Sequence, residues 1–197
     1  MIFLEISAPF ASFKHSYSRE YAGSYAYPPP STIYGCLLSL VGETDMQYHR
    51  GVKIAIALAS KPQSNIVMRT VRRLKNADLN HPSNSKPDFQ EVLSGVEIVI
   101  GVDSCEDANN LETRIVESLS NSISTERFGG LSLGESKDLI DDIQILEKPS
   151  QSLQWLTKNT KGKIKLPLIV DYMGSKNTKM VKFSLDDYSD RSFFSVS

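Results

Sequence analysis

The order of strand and helix candidates along the chain predicts an α+β fold with a ferredoxin-like sheet. Three observations carry this prediction. The candidates follow the order β-α-β-β-α-β, a polar and basic stretch separates the second strand from the third, and two more strand candidates follow the last one. The 197 residues are enough to bury one sizeable core. We therefore expect a ferredoxin-like domain over residues 1–148, a protruding hairpin inserted at about 61–90, and a C-terminal β extension over 149–197.

The first strand and the first helix are predicted from the N-terminal part of the chain. Residues 2–7 are mostly apolar and predict a strand, whereas residues 8–30 are loop-like and end in three prolines. Ser31 is then suited to cap a helix over Thr32 to Val41, which is apolar almost all round. Gly42 is well placed to end this helix, which we expect to be buried.

The two central strands are predicted at residues 52–59 and 92–102, which are rich in β-branched residues. Between them, residues 66–74 alternate apolar and basic side chains, and residues 76–87 collect Asn, Ser, His and Pro. This composition predicts a protruding hairpin or a flexible arm whose basic side chains face solvent.

The second helix and the remaining strands are predicted from the second half of the chain. Residues 107–119 carry apolar residues one helical turn apart, and residues 140–146 return to alternation. Residues 166–172 and 180–185 supply two further strand candidates. The four-strand order alone says little about function.

The formal net charge of −1 argues against a uniformly basic nucleic-acid-binding protein. The charges are nevertheless segregated along the chain. Residues 61–86 carry a local charge of +5 and residues 151–182 one of +6, whereas residues 103–147 carry −8. Any contact with a polyanion must therefore be local, and we expect the acidic segment to face mostly elsewhere.

The cysteines and the N-terminus favour a cytoplasmic protein. Cys36 and Cys105 have neither a metal-binding spacing nor a disulfide framework. No apolar run approaches the length that spans a bilayer, and we expect no membrane association, no metal and no cofactor.

An aromatic-rich loop forms the first candidate binding site. Seven of the seventeen aromatic residues lie between Phe10 and Tyr34, beside only a few basic side chains. Such a loop can stack unpaired bases and neutralise their phosphates, or it can simply fold over its own core. The candidate residues are Phe13, Lys14, His15, Tyr25 and Tyr27.

A glycine-rich segment forms the second candidate site. Three glycines within six residues allow positive φ and let consecutive backbone N–H groups surround a phosphate. The alternative is a tight turn between a helix and a strand. The candidate residues are Arg127, Gly129, Gly130, Ser132, Leu133, Gly134, Glu135 and Ser136.

Three arginines of the arm, Arg69, Arg72 and Arg73, offer planar forks that suit phosphate oxygens. The lysines after residue 158 are more typical of a solvated surface.

No catalytic set is predicted. His15, His49 and His81 have no metal-ligand spacing, and no Ser-His-Asp signature is present. His15 could still act as a general base on a ribose hydroxyl, because imidazole titrates near neutral pH.

Three segments resemble a known family, namely Phe10 to Lys14, Tyr27 to Gly35 and Arg127 to Ser136. In content and order they resemble the CRISPR-associated Cas5 family, RAMP-superfamily proteins that cap the five-prime handle of the crRNA in type I Cascade complexes. With their flanks they cover about a third of the chain.

The resemblance implies that the arm is a β-hairpin thumb and that the aromatic and glycine loops hold RNA. It also implies partners: the crRNA five-prime handle, the Cascade backbone and large subunits, and target DNA nearby through the complex. One branch of the family cuts the crRNA precursor with a Tyr/Lys/His set, for which Lys14, His15 and Tyr25 are the nearest substitute here. This departure favours a non-catalytic subunit. The alternatives are a metal-independent endoribonuclease and an unrelated protein that binds a small phosphorylated ligand at the glycine loop.

Overall fold

A computed structural model describes residues 1–15, 18, 21–170 and 178–196 of the protein, and within them ten strands form one mostly antiparallel sheet. Two α-helices accompany the sheet, so the predicted α+β class is confirmed. The strands are β1 Ile2–Ala11, β2 Tyr21–Ala22, β3 Lys53–Leu58, β4 Gln63–Arg72, β5 Ser85–Asp103, β6 Asp142–Leu146, β7 Gln154–Lys158, β8 Ile164–Ile169, β9 Lys179–Asp186 and β10 Phe194–Ser195. The helices are α1 Pro30–Leu40 and α2 Leu111–Ser120.

Four central strands follow the chain order that the sequence predicts. β6, β1, β5 and β3 lie side by side in that order, and each neighbouring pair is antiparallel. α1 comes between β1 and β3 along the chain, and α2 comes between β5 and β6. The two-residue β2 stands outside this succession and pairs in parallel with β5.

Alternate positions of β1 contribute to two different hydrophobic clusters. Leu4 and Ile6 are fully buried in the larger cluster, to which both helices contribute. Phe3 belongs to a smaller cluster around Trp155, because successive side chains of a strand point to opposite faces. Both faces of the sheet centre are therefore buried, which ties the register of β1 to its neighbours.

The first helix begins earlier than the sequence indicates. Pro29 is its N-cap residue and Pro30 its first residue, where the missing N–H of proline costs nothing. The prediction that Ser31 caps the helix is wrong, because its hydroxyl instead donates to the Pro167 carbonyl at 3.1 Å and ties α1 to β8. Gly42 follows the helix with a φ of +70°, as expected for the residue that ends it.

The second helix begins at Leu111 rather than at Asp107. Asn110 caps it with a side-chain oxygen that accepts from the Thr113 N–H at 3.2 Å. Asp107 is occupied differently, because its carboxylate accepts from the Leu111 N–H at 2.9 Å. Short polar side chains often bond to nearby backbone in this way, which delays the start of a helix.

A buried histidine joins the loop after α1 to α2. Arg114 Nη1 lies 2.8 Å from His49 Nε2, and His49 Nδ1 lies 2.7 Å from Asp107 Oδ2. Because a guanidinium only donates, Nε2 accepts and Nδ1–H donates to the carboxylate. His49 and Asp107 are fully inaccessible, so this histidine has a structural role.

A long hairpin occupies the region of the predicted arm. β4 pairs with the first half of β5, from Gln63 opposite Ser94 to Arg72 opposite Ser85, and β5 then continues into the central sheet. The tip is organised by the buried side chain of Asn84, whose oxygen accepts from the backbone N–H groups of Lys75 and Asn76. The hairpin therefore has an ordered end rather than a loose loop.

The strands after residue 149 extend the same sheet. β7 pairs with β3 through Ala57 and Trp155, and β9 and β8 follow beyond it. The sequence predicts β8 and β9 but misses β7; the predicted end of β8 at Tyr172 lies outside the described residues. The division at residue 148 stays a prediction. Among the described residues, no helix is both long and apolar enough to cross a membrane.

Candidate nucleic-acid interface

Three segments that are far apart in sequence meet around one open cavity of about 480 Å³, which we call cavity A. They are residues 12–14, which directly follow β1, the first turns of α1, and the glycine loop at residues 132–135. Pro167, Val170 and Thr178, from the adjacent ends of β8 and β9, complete the wall. All three segments belong to the motifs singled out in the sequence.

The aromatic loop is held in place by backbone pairing. The His15 N–H donates to the Gly23 carbonyl at 3.0 Å, and the Tyr25 N–H donates to the Phe13 carbonyl at 2.8 Å. Glu91 of β5 anchors the returning strand, since its carboxylate accepts from the Ser24 N–H at 2.9 Å. The two halves of the loop thus form a small ladder beside the hairpin.

The rings of this loop serve mainly as walls. Phe13 is only 2% exposed, so its ring cannot offer a free face. Tyr25 and Tyr27 are half-buried against the core, and Tyr25 also lines cavity A. His15 contacts the Tyr25 ring edge-on, with ring centroids 4.2 Å apart. Lys14 is the exposed cation at the cavity mouth.

The glycine loop is a tight turn that also lines the cavity. The Leu133 N–H donates to the Asp138 carbonyl at 2.8 Å, and the Leu133 side chain is fully buried. Gly134 has a φ of +109°, and a Cβ atom there would lie 2.6 Å from the Ser12 carbonyl oxygen. Only glycine lets the loop approach the end of β1 this closely. Gly129, Gly130 and Ser136 are exposed beside it.

Arg69 connects the hairpin to the glycine loop. Its guanidinium lies 2.9 Å from Asp88 and 4.0 Å from Glu135. Lys137 approaches the same Glu135 carboxylate at 3.1 Å. The expectation that all basic side chains of the arm face solvent is therefore wrong for Arg69, which is half-buried and paired.

The Glu135 carboxyl has a shifted pKa. Burial by itself raises the pKa, but hydrogen bonds from Gln90 and Lys137 and attraction to the Lys137 and Arg69 cations outweigh it. The net result is a pKa below the usual value, so Glu135 is ionised at neutral pH. Its charge holds the loop and the hairpin together.

Arg72 and Arg73 lie further out on the hairpin and are exposed. Arg72 is three residues beyond Arg69, a distance of about 10 Å along a strand, and side-chain alternation puts it on the other face. The structure does not bring these two arginines to cavity A.

Two of the eleven acidic side chains of residues 103–147 line the site, and the expectation that this segment faces mostly elsewhere stays a prediction. Glu135 lines cavity A, and Glu126 lines a neighbouring cavity. The site therefore mixes charges of both signs.

The neighbouring cavity, which we call cavity B, also measures about 480 Å³ and was not predicted. It lies beside the second half of α1 and shares Gly35 and Ser39 with cavity A, so the two form one groove along the helix. Phe128 borders cavity B and is fully exposed. Small residues at spacing four in an otherwise apolar helix were the available signal for this groove.

Two solved structures resemble the fold. A chain of a structure described as a CRISPR RNA-guided surveillance complex matches with a TM-score of 0.66 and 10% sequence identity, over 94% of this chain and 90% of that one. A structure described as a crystal structure of a Cas protein matches with a TM-score of 0.53 and 11% identity, over 94% and 93% of the two chains.

Two sequence relationships are more specific. The family model described as CRISPR-associated protein (Cas_Cas5) matches residues 1–113. The CRISPR-associated protein Cas5 of Myxococcus xanthus (strain DK1622) is 37% identical over 187 residues, which cover 91% of this chain and 87% of that protein. The matched family segment includes the aromatic loop, α1 and the whole hairpin. The chain therefore belongs to the CRISPR-associated Cas5 family.

Proposed function

We propose that this protein is a non-catalytic, RNA-binding subunit of a type I Cascade complex and that it holds the five-prime handle of the crRNA. The central four strands and two helices would be a ferredoxin-like domain of the RAMP type. The observation that carries this proposal is the meeting of residues 12–14, the start of α1 and the glycine loop around cavity A. Membership of the Cas5 family supports it.

Cavity A offers contacts of the kind that single-stranded RNA uses. Lys14 supplies a cation for a phosphate, and Tyr25 supplies an apolar wall beside it. The glycine loop supplies exposed backbone at the cavity wall, where Gly134 lies, and backbone N–H groups can bind a phosphate. The groove continues past Gly35, which leaves room for more than one nucleotide.

The hairpin would contact the Cascade backbone subunit. Ile66, Met68 and Phe89 are exposed on it, and Met68 lies directly opposite Phe89 on the same face. Exposed apolar groups on a protruding hairpin favour a protein contact. The large subunit would be a second partner, target DNA would be reached only through the complex, and we expect the complex to act in the cytoplasm.

We further propose that the chain does not cut RNA. The closest candidate for a general base is His15, whose ring packs against Tyr25. Incubation of the purified protein with repeat RNA in EDTA tests this point, and we expect the RNA to stay intact. Site-specific cleavage that is lost in His15→Ala would instead establish a metal-independent endoribonuclease.

Binding of handle RNA tests the main proposal. Lys14→Ala should weaken the affinity of the protein for a handle-containing RNA and make the log–log salt dependence shallower by about 0.7, the value for one phosphate contact on a single strand. Lys148→Ala is the matched control, because Lys148 is exposed near Glu5 and Glu97, at a separate cavity. Equal affinities of the two variants, or no RNA binding by the unaltered protein, would contradict the proposal.

A further inference from the structure

We propose that cavity B is a nucleotide subsite, in which one base of the bound strand stacks on Phe128 and the adjoining phosphate contacts Arg127. This inference rests on the proposed RNA-binding function and extends it to a second, distinct pocket. Cavity B is bordered by the second half of α1, the loop after it and residues 126–128.

The Phe128 ring is the most exposed aromatic side chain among the described residues, with a relative exposure of 103%. Exposure of a whole phenyl ring to water has a free-energy cost that grows with the exposed apolar area. A nucleobase can cover one face of the ring, and base–aromatic stacking is independent of base identity. The full exposure of the Phe128 ring leaves it accessible to a base.

Arg127 supplies a donor that lacks an acceptor. Its Nη1 atom is buried and has no hydrogen-bond partner within the described part of the chain. A buried charged donor without a partner is costly, so a movement of the guanidinium toward an acceptor in cavity B, which Arg127 already lines, would be favourable. A phosphate oxygen is such an acceptor and matches the geometry of a guanidinium.

The small residues of α1 connect cavity B to cavity A. A Cβ atom added to Gly35 would meet nothing within 4 Å, so the passage beside the helix is open. Gly35 and Gly42 are about 10 Å apart along the helix at 1.5 Å per residue. Gly42 lacks a side chain because a Cβ there would lie 2.2 Å from the Glu126 carbonyl oxygen, and this close approach brings the Phe128 segment to the groove.

The polar rim favours a nucleotide over an apolar protein segment. Glu43 and Glu126 line the cavity and can accept from the N–H groups of a base. Hydrogen bonds from the Asp45 backbone and from the Arg114 side chain lower the pKa of Glu43, so it remains an acceptor at neutral pH. An apolar side chain from a protein would offer no partner to Glu126 or to the Arg127 guanidinium.

The test combines a protein substitution with a change in the RNA. Phe128→Ala should weaken binding of the handle RNA about tenfold, within the range for loss of one base–aromatic stack, and Phe128→Tyr should restore it. Ile123→Ala is the matched control, since Ile123 is 96% exposed and lines neither cavity. Fully exposed positions make misfolding of these variants a minor concern. An RNA with one abasic nucleotide at the stacked position should bind the unaltered protein and Phe128→Ala with equal affinity.

The outcomes separate the two proposals. Suppose that Lys14→Ala weakens binding and Phe128→Ala does not, whichever nucleotide of the RNA is made abasic. Cavity B is then not a nucleotide subsite, and the handle proposal stands. If Phe128→Ala leaves RNA binding intact but prevents assembly with another Cascade subunit, the cavity is a protein contact and the inference is overturned. If the unaltered protein binds no RNA, the proposed function fails first.

Discussion

The groove formed by cavities A and B contrasts with a lysine-bearing surface on β8 and β9. The groove is shaped by small residues on α1, and the charged side chains that line it carry both signs. The second surface, the lysine face, is formed by five exposed lysines on β8, β9 and the turn between β7 and β8, namely Lys161, Lys163, Lys165, Lys179 and Lys182. Lys165 lies directly opposite Lys182, and the ion pairs of the described residues include none of the five.

In this comparison, RNA affinity at the groove would depend on its shape, whereas RNA affinity at the lysine face would depend on its charge. Like charges directly opposite each other on a sheet are destabilising, and their attraction for phosphate weakens as salt is added. A groove that stacks bases depends much less on salt. If the groove is the binding site, substitutions there should lower the affinity at every salt concentration, whereas those on the lysine face should matter only at low salt.

The largest effect is expected from filling the passage between the cavities. Gly35→Leu should lower the affinity for handle RNA at least tenfold at both low and high salt. Replacement of glycine within a helix favours folding by about 1 kcal/mol, so a loss of binding would not reflect unfolding. Thr113→Leu, which adds the same side chain to an exposed position of α2, serves as the control. Unchanged binding by Gly35→Leu would show that the groove is not the RNA-binding site.

A smaller effect is expected at the wall of the groove. Arg69→Ala should lower the free energy of unfolding by up to about 1 kcal/mol, the usual worth of a partly exposed ion pair, because Asp88 and Glu135 lose their shared cation. Arg72→Ala, on the opposite hairpin face, should leave stability unchanged. Chemical denaturation of the two variants measures the difference. Equal stabilities would mean that Arg69 does not hold the hairpin to the loop.

Substitutions on the lysine face should raise the stability of the fold, in contrast to Arg69→Ala. Lys165→Gln combined with Lys182→Gln should raise the free energy of unfolding by about 0.2–1 kcal/mol, since it removes an opposed pair of like charges. RNA affinity should fall only at low salt. Lys53→Gln provides the contrast, because Lys53 is paired with Glu106 and its loss should not stabilise the fold. An affinity loss of the double variant that persists at high salt would assign specific binding to the lysine face.

The smallest effect concerns pH. The pKa of Glu135 lies below its usual value of 4.5, so the ionised carboxyl stabilises the fold at neutral pH, and this contribution is lost as the pH falls below that value. Glu135→Gln should therefore flatten the fall of Tm between about pH 6 and pH 3. Glu147→Gln, at an exposed position, should leave the profile as it is. Identical profiles for both variants would argue against a stabilising role of Glu135.

Much of the fold followed from local patterns, and the misses have physical causes. Richness in β-branched residues identified residues 92–102, the second part of β5, residues 180–185 were predicted as the strand that proved to be β9, and helical spacing identified α1. The sequence missed β7, because Gln154–Lys158 is short and its Trp155 is buried through contacts with residues distant in sequence, among them Phe3 and Tyr188. It also misplaced the start of α2, where Asp107 bonds to His49 from another loop. Neither partner lies near in sequence.

The candidate site divides in the same way. The residue types of the aromatic and glycine loops, the low charge of α1 and the basic arm were determined by the sequence alone. Only the tertiary structure decided that Ser12 and Gly134 touch, that Arg69 forms ion pairs whereas the ion pairs among the described residues do not include Arg72, and that Gly35 and Phe128 border a common groove. The reason is that local propensity acts over a few residues, whereas these contacts join residues on different elements of the fold, whose distances are set by packing of the whole core.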